Sequence, residues 1–326
     1  MDVLGIDVSK LSFDATLLTA TGTSHYQAFP NTPEGFAQLQ LWLAEHQITS
    51  LHACMEATNI YWEALASWLV AHNAIVSVVN PARIKGYAQA SMQRNKTDKL
   101  DSAVIADFCL KQRPSAWEPA SEQQRHLRAL VRHRDDLLQT QLQQQNRMRD
   151  STDKLVRASL QSLLKAIGSE LEAIERQIKE LVATQASMSA NLVLLTSVVG
   201  IGMVTAAKLL AEFGDLEQYQ TAKAAAADAG LTPSHYQSGT TVRRRPKMSK
   251  IGKAGIRAAL YWPAITAMRH CPAVKRFAER LAARGKPKKV VIGAVMRKLV
   301  HICYGVLKHQ TPYDPAKAFG HTSSAT

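Results

Sequence analysis

"VLGIDVSKLSFDATLLT", Val3 to Thr19, reads as two strands, "VLGIDVS" and "LSFDATLLT". Asp7 breaks an otherwise apolar first strand. Aspartate is disfavoured in strands, so it needs a reason to be there. Working outward, "SHYQAFP" reads as a third strand. "TPEGFAQLQLWLAEHQ" reads as a helix, with Thr32 as N-cap, Pro33 in the first turn and Phe36, Leu39 and Leu43 on one stripe. "LHACMEA" is a fourth strand, "YWEALASWLVAHN" a helix, and "AIVSVVN" a fifth strand stopped by Pro81. "TDKLDSAVIADFCLKQ" closes the region as a helix that ends before Pro114. Strands followed by helix–strand alternation predict an α/β or α+β sheet of about five strands over residues 1–115.

Residues 116–188 are polar, Gln- and Arg-rich and nearly free of Gly and Pro. Leu160, Leu163/Leu164, Ile167, Leu171, Ile174, Ile178 and Leu181 recur at spacings of three and four. That is a heptad seam, which predicts a coiled-coil hairpin or dimerisation rod. Residues 189–326 read as a mainly helical, basic domain. Within it, "LLTSVVGIGMVTAAKLLAEFG" is two helices joined at Gly200-Ile201-Gly202. The join fits either a helix–hairpin–helix, whose Gly turn lets N–H groups approach a phosphate, or a plain αα-hairpin. It is no dinucleotide fingerprint, because the third Gly and the preceding strand are missing.

Composition narrows the function classes. The 326 residues are 46% hydrophobic and 20% charged, ordinary for a folded soluble protein. Cys54, Cys109, Cys271 and Cys303 have no metal-ligand or disulfide spacing and read as buried thiols in a reducing compartment. No signal peptide or long apolar run stands out, so a cytoplasmic protein without membrane partners is expected. The net charge of +14 is unevenly spread. Residues 1–240 carry a net −3, whereas residues 241–326 carry 19 Lys and Arg against Glu279 and Asp314 alone. A one-signed field of that size attracts a polyanion, and nucleic acid fits it better than a membrane surface. "SGTTVRRRPKMSK", from Ser238, lies at its edge; Arg243, Arg244, Arg245, Lys247, Lys250 and Lys253 are the expected phosphate contacts.

Four acids point to chemistry. Asp7 lies in the first strand, Glu56 at the end of the fourth, and Asp98 and Asp101 three apart at the start of the closing helix, hence on one face. Singly, each has an ordinary role: a turn acceptor, a helix cap, an N-cap, a first-turn acid. Jointly they can converge, and converging acids repel unless a hard cation neutralises them. Mg²⁺ takes such oxygen ligands, and two ions can clamp a phosphodiester. D–E–D–D on this strand and helix pattern is the arrangement of a ribonuclease-H-like, Holliday-junction-resolvase-type nuclease core.

"GIDVSK", "MEATNIYWE", "NPARIKGYAQ", "RNKTDKLDSAVIADF", a helical rod, "VVGIG", "AGLTPSHYQSGTTVR" and "MSKIGKAGIRAALY" follow one another along the chain. Together they resemble the DEDD transposases of the insertion-sequence-110 family, the bridge-RNA-guided recombinases. The resemblance covers essentially the whole chain. It implies a resolvase-like N-terminal domain, a coiled coil and a C-terminal transposase domain. It also implies Asp7, Glu56, Asp98 and Asp101 as catalytic Mg²⁺ ligands and Ser238 as nucleophile. The composite site joins the acids of one subunit to the serine of another, which requires a dimer and suggests a tetramer at synapsis. The implied partners are donor DNA, target DNA and an element-encoded noncoding guide RNA. Two positions depart from the family pattern: Arg244 stands where a glycine is usual, and Val199 where a proline is common.

A serine hydroxyl is a weak nucleophile unless activated. An attacking serine conserves phosphodiester energy in a phosphoserine link, so strands can be rejoined without ATP, whereas attack by water only cuts. Tyr236 is a rival nucleophile, but the Arg and His-x-x-Arg partners of a tyrosine recombinase are missing. The expectation is an RNA-guided transposase/recombinase working through a Holliday junction. The alternative is a hydrolytic, junction-selective DNA endonuclease using the four acids alone.

Overall fold

The computed structural model describes residues 1–90, 97–214, 219–238 and 242–319, and for residues 235–238 and 242–245 it describes backbone only. The chain forms two compact units, Met1–Pro119 and Ala120–Thr326.

The first unit is built on a five-stranded mixed sheet. Strands β1 (Asp2–Val8), β2 (Ser12–Leu18) and β3 (Ser24–Pro30) form an antiparallel meander. β4 (Leu51–Glu56) lies parallel to β1 on its other side, and β5 (Ile75–Val79) lies parallel to β4. The order is therefore β3-β2-β1-β4-β5, with β1 central. Helix α1 (Pro33–Glu45) starts as expected, with the Thr32 hydroxyl accepting from Gly35 N at 3.3 Å and Pro33 in the first turn. Helix α2 (Glu63–Ala71) joins β4 to β5. Pro81 does not merely stop β5; it opens a helix the sequence reading missed, α3 (Pro81–Ala90). Proline fits a helix's first turn because that N–H has no intrahelical partner. The unit closes with α4 (Asp98–Gln112).

Strand alternation divides the core. Leu4, Ile6, Val8, Phe13, Ala15 and Leu17 pack with Phe36, Leu39, Trp42, Leu65 and Leu69 of α1 and α2. Val3, Cys54 and Val79 pack on the other face with Ile84 of α3 and Val104, Ile105 and Phe108 of α4. Asp7 is in step with Val3 and Gly5, so it belongs to the α4 face.

The second unit begins with a helical hairpin, α5 (Glu122–Asp150) and α6 (Lys154–Thr184). Leu160, Ile167, Leu171, Ile174 and Ile178 of the expected seam are buried, whereas Leu163 is 45% exposed. Ile174, Ile178 and Val182 join Leu127, Leu130 and Val131 in the same core as the C-terminal helices, so the hairpin is rooted there. Next come α7 (Ala186–Thr196), α8 (Met203–Phe213) and α9 (Ala222–Asp228). At the α7–α8 turn Gly200 has φ 96°, and a Cβ there would lie 2.5 Å from Pro263 O. Ile201 beside it is buried.

The basic stretch forms a two-stranded antiparallel ribbon, β6 (Pro233–Ser238) and β7 (Val242–Met248), in a segment read as helices and turns. Helices α10 (Ala254–His270), α11 (Pro272–Ala283), α12 (Lys288–His309) and α13 (Pro315–Phe319) complete the unit. Helix α12 is long and apolar enough to cross a bilayer. However, Val295, Leu299, Val300 and Cys303 are each at most 2% exposed, so it serves as the core helix of this unit.

Candidate active site

The acid site is assembled by the contact between β1 and α4. Gly5 permits it: a Cβ there would lie 2.2 Å from Ser102 O and from Ala106 N of α4. No other residue allows that approach, and an isolated Gly in a strand marks such a place. Beside it, the Thr16 and Ser102 hydroxyls hydrogen-bond at 2.8 Å, both nearly inaccessible to solvent. Apolar contacts of Val104, Ile105 and Phe108 complete the seam. These contacts fix the start of α4 over the end of β1.

One carboxylate oxygen each from Asp7, Asp98 and Asp101 lies within 4.8 Å of the others. Asp7 is the penultimate residue of β1. Asp98 and Asp101 stand in the first turn of α4, where the N–H dipoles favour acids. The N-cap is Thr97, whose hydroxyl accepts from Leu100 N at 3.3 Å, so neither aspartate is spent on capping. Glu56 lies outside this trio, at the end of β4, the strand beside β1. It does not cap α2, which starts at Glu63.

The donor set fits a hard cation. Ligands of Mg²⁺ sit at ~2.0–2.1 Å from the metal and therefore roughly 3–4 Å from one another. Three carboxylate oxygens within 4.8 Å come close to that spacing. A further acid stands next to them: Asp14 on β2 pairs directly with Asp7. The Tyr26 phenol donates to Asp14 Oδ1 at 2.5 Å, and Lys99 Nζ lies 5.2 Å from the Tyr26 ring centroid. That hydrogen bond, burial and the charges of Asp14 and Asp98 push the Tyr26 pKa up to about 12.

In the second unit, Ser238 is the last residue of β6 and pairs with Val242. Arg243 and Arg244 of β7 pair with Gln237 and Tyr236. The side chains of Ser238, Arg243, Arg244 and Arg245 lie outside the described atoms. Lys247 and Lys250 are exposed. Lys253 is engaged inside the fold, its Nζ 2.9 Å from Asp228 Oδ2. The sequence reading missed Gly5, Thr16, Ser102 and Asp228; only Gly5, isolated in an apolar strand, offered a signal.

Comparison with known proteins adds independent findings. A family model named for the DEDD transposases of IS110, described as "Transposase", matches residues 4–156. A second, described as "Transposase IS116/IS110/IS902 family", matches residues 192–279. The pilin gene-inverting proteins of Moraxella lacunata and Moraxella bovis are each 34% identical to this chain over 314 residues, spanning 95% of it and 97% of their own length. A "Probable family 20 transposase" of Pseudomonas aeruginosa is 30% identical over 165 residues, 48% of each chain.

Proposed function

The chain belongs to the IS110 family of transposases, and from that premise we propose that it is a DNA recombinase guided by an element-encoded noncoding RNA. The observation that carries the chemical part is the convergence of Asp7, Asp98 and Asp101. We read the sheet of residues 1–115 as ribonuclease-H-like, a reading its strand order supports. Residues 116–188 serve as a coiled-coil rod and residues 189–326 as the basic transposase domain.

Asp7, Asp98 and Asp101, with Glu56 from the neighbouring strand end, would hold Mg²⁺. Bound there, the ion would offset the charge that gathers on the phosphate being attacked. Ser238 Oγ attacks the scissile phosphorus and gives up its proton. An Oγ–P bond forms, the P–O bond to one deoxyribose breaks, and the departing oxygen is protonated. The reverse attack by a hydroxyl from the other duplex releases the serine and joins the exchanged strand, so bond energy is conserved through a Holliday junction. Arg243, Arg244, Arg245, Lys247 and Lys250 grip phosphates of DNA or of the guide. Acids of one subunit act with the serine of another, which makes a dimer the smallest active unit and a tetramer the synaptic one. The protein acts in the cytoplasm, on the nucleoid.

The names of the Moraxella relatives favour one further outcome. Exchange between two sites in inverted orientation turns the intervening segment around, and exchange between sites on separate DNAs moves it. The same chemistry serves both. The test is strand exchange with purified protein and the RNA that co-purifies with it. Asp98→Ala is expected to abolish exchange. An Asp98→Ala protein that recombines like wild type would refute the acid site, and the lack of any specific co-purifying RNA would refute the guide.

A further inference from the structure

The β6–β7 ribbon is held at its base by a compact set of contacts that the proposed chemistry does not use. A two-stranded ribbon is marginal by itself. Its direction therefore comes from what grips its two ends. Backbone bonds tie the segment before β6 to the segment after β7: Ser249 N to Thr232 O at 2.9 Å, Lys250 N to Gly230 O at 3.2 Å and Lys253 N to Asp228 O at 2.6 Å. The segments run so close that a Cβ on Gly252 would lie 2.0 Å from Asp228 O. Gly252 also has φ 125°, which an L side chain rarely adopts. Arg257 Nη1 spans both, donating to Ala229 O at 3.0 Å and Gly252 O at 3.3 Å.

Three side chains close this base. Asp228, the last residue of α9, accepts from the Tyr219 hydroxyl and pairs with Lys253 Nζ at 2.9 Å. Lys253 also donates to the Tyr219 hydroxyl at 3.1 Å. Tyr219 is fastened in turn to the core helix, its carbonyl accepting from the Tyr304 hydroxyl at 2.8 Å. A cation, an anion and a phenol thus satisfy one another where the side chains are only about one-third exposed, as 34% for Lys253 and 33% for Asp228. Met248, at the end of β7, rests in the notch left by Gly293 of α12, where a Cβ would lie 2.7 Å from its methyl carbon.

We propose that Tyr219, Asp228 and Lys253 are positioning residues, a buckle that closes the base of the β6–β7 ribbon and sets how it presents Ser238 and the following arginines. Lys253 thereby acts through Asp228 rather than on a phosphate. The claim about the ribbon rests on this geometry; its consequence for strand exchange rests on the role proposed above for Ser238.

The test compares Asp228→Ala, Tyr219→Phe and Lys253→Met with the conservative Lys253→Arg in the full-length protein. Amide hydrogen exchange and strand exchange at saturating DNA are read side by side. With the buckle opened, the backbone amides of β6 and β7 exchange at least about tenfold faster while those of α11 and α12 keep their rates. The rate at saturation falls more than DNA affinity does, and Lys253→Arg restores both. Tyr219→Phe, which removes one oxygen, keeps the test available where Asp228→Ala does not fold. Unchanged ribbon exchange in folded variants overturns the proposal, as does a uniform rise throughout the second unit, which marks a plain loss of stability. A loosened ribbon with unimpaired strand exchange supports the buckle and counts against the serine's assigned role.

Discussion

The acids and the serine are presented by two different kinds of scaffold. Asp7, Asp98 and Asp101 stand on a central strand and a 15-residue helix locked together by Gly5, the Thr16–Ser102 bond and an apolar seam. Ser238 stands at the end of a six-residue strand with one partner strand, gripped at its base. Mutually repelling carboxylates need a rigid support, because the fold itself must supply the convergence. An arm proposed to carry the nucleophile to a bound strand gains from a defined base. Sites that move are drawn from the less stable parts of a structure.

The contrast can be broken at its strongest points first. Asp7→Asn should lower strand cleavage by at least about a thousandfold, as expected when charge stabilisation at the reacting phosphate is removed. Cleavage assays check this. Gly5→Val should cost about 3 kcal/mol or more, because α4 has to move away from β1. Urea unfolding monitored through the first unit reads this directly. Replacing Arg243, Arg244 and Arg245 with Gln should weaken DNA binding about 10- to 100-fold. It should also flatten the salt dependence of binding by roughly 0.9 for each phosphate that is no longer neutralised, without changing stability. Binding titrations from low to moderate salt measure that slope. Thr16→Val is the mildest change, costing about 1 kcal/mol, because the Ser102 hydroxyl loses Thr16 but keeps its donation to Lys99 O at 3.0 Å. A Thr16→Val protein with wild-type stability would show that the acid scaffold is held by packing alone.

The two scaffolds were unequally legible. Strands β1, β2, β4 and β5 announce themselves through short apolar runs bounded by polar turns, β3 more weakly, and the start of α1 through Thr32 and Pro33. Asp7 could be singled out because it interrupts such a run, and Asp98 and Asp101 because three-residue spacing puts them on one helix face. Helix α3 was missed because Pro81 serves equally as a stop and as a first-turn residue. The β6–β7 ribbon was missed for a different reason. Three arginines, a lysine and a proline occupy β7, with none of the apolar alternation that marks a half-buried strand. Its pairing is imposed from the base by Tyr219, Asp228 and Lys253, which are scattered along the chain and share no local pattern. The closeness of Gly5 to Ser102 is likewise a tertiary fact, hinted at by a glycine in a strand but not located by it.

The most direct measurement is the covalent link itself. Wild-type protein, its guide RNA and a nicked DNA substrate that traps the attached strand are incubated with Mg²⁺, digested and sequenced by mass spectrometry. The account predicts a nucleotide attached through phosphate to Ser238, absent in Ser238→Ala and absent in Asp98→Ala. DNA cleaved at wild-type rate by Ser238→Ala, with no protein–DNA adduct in any sample, would contradict it and leave hydrolysis by the acids alone.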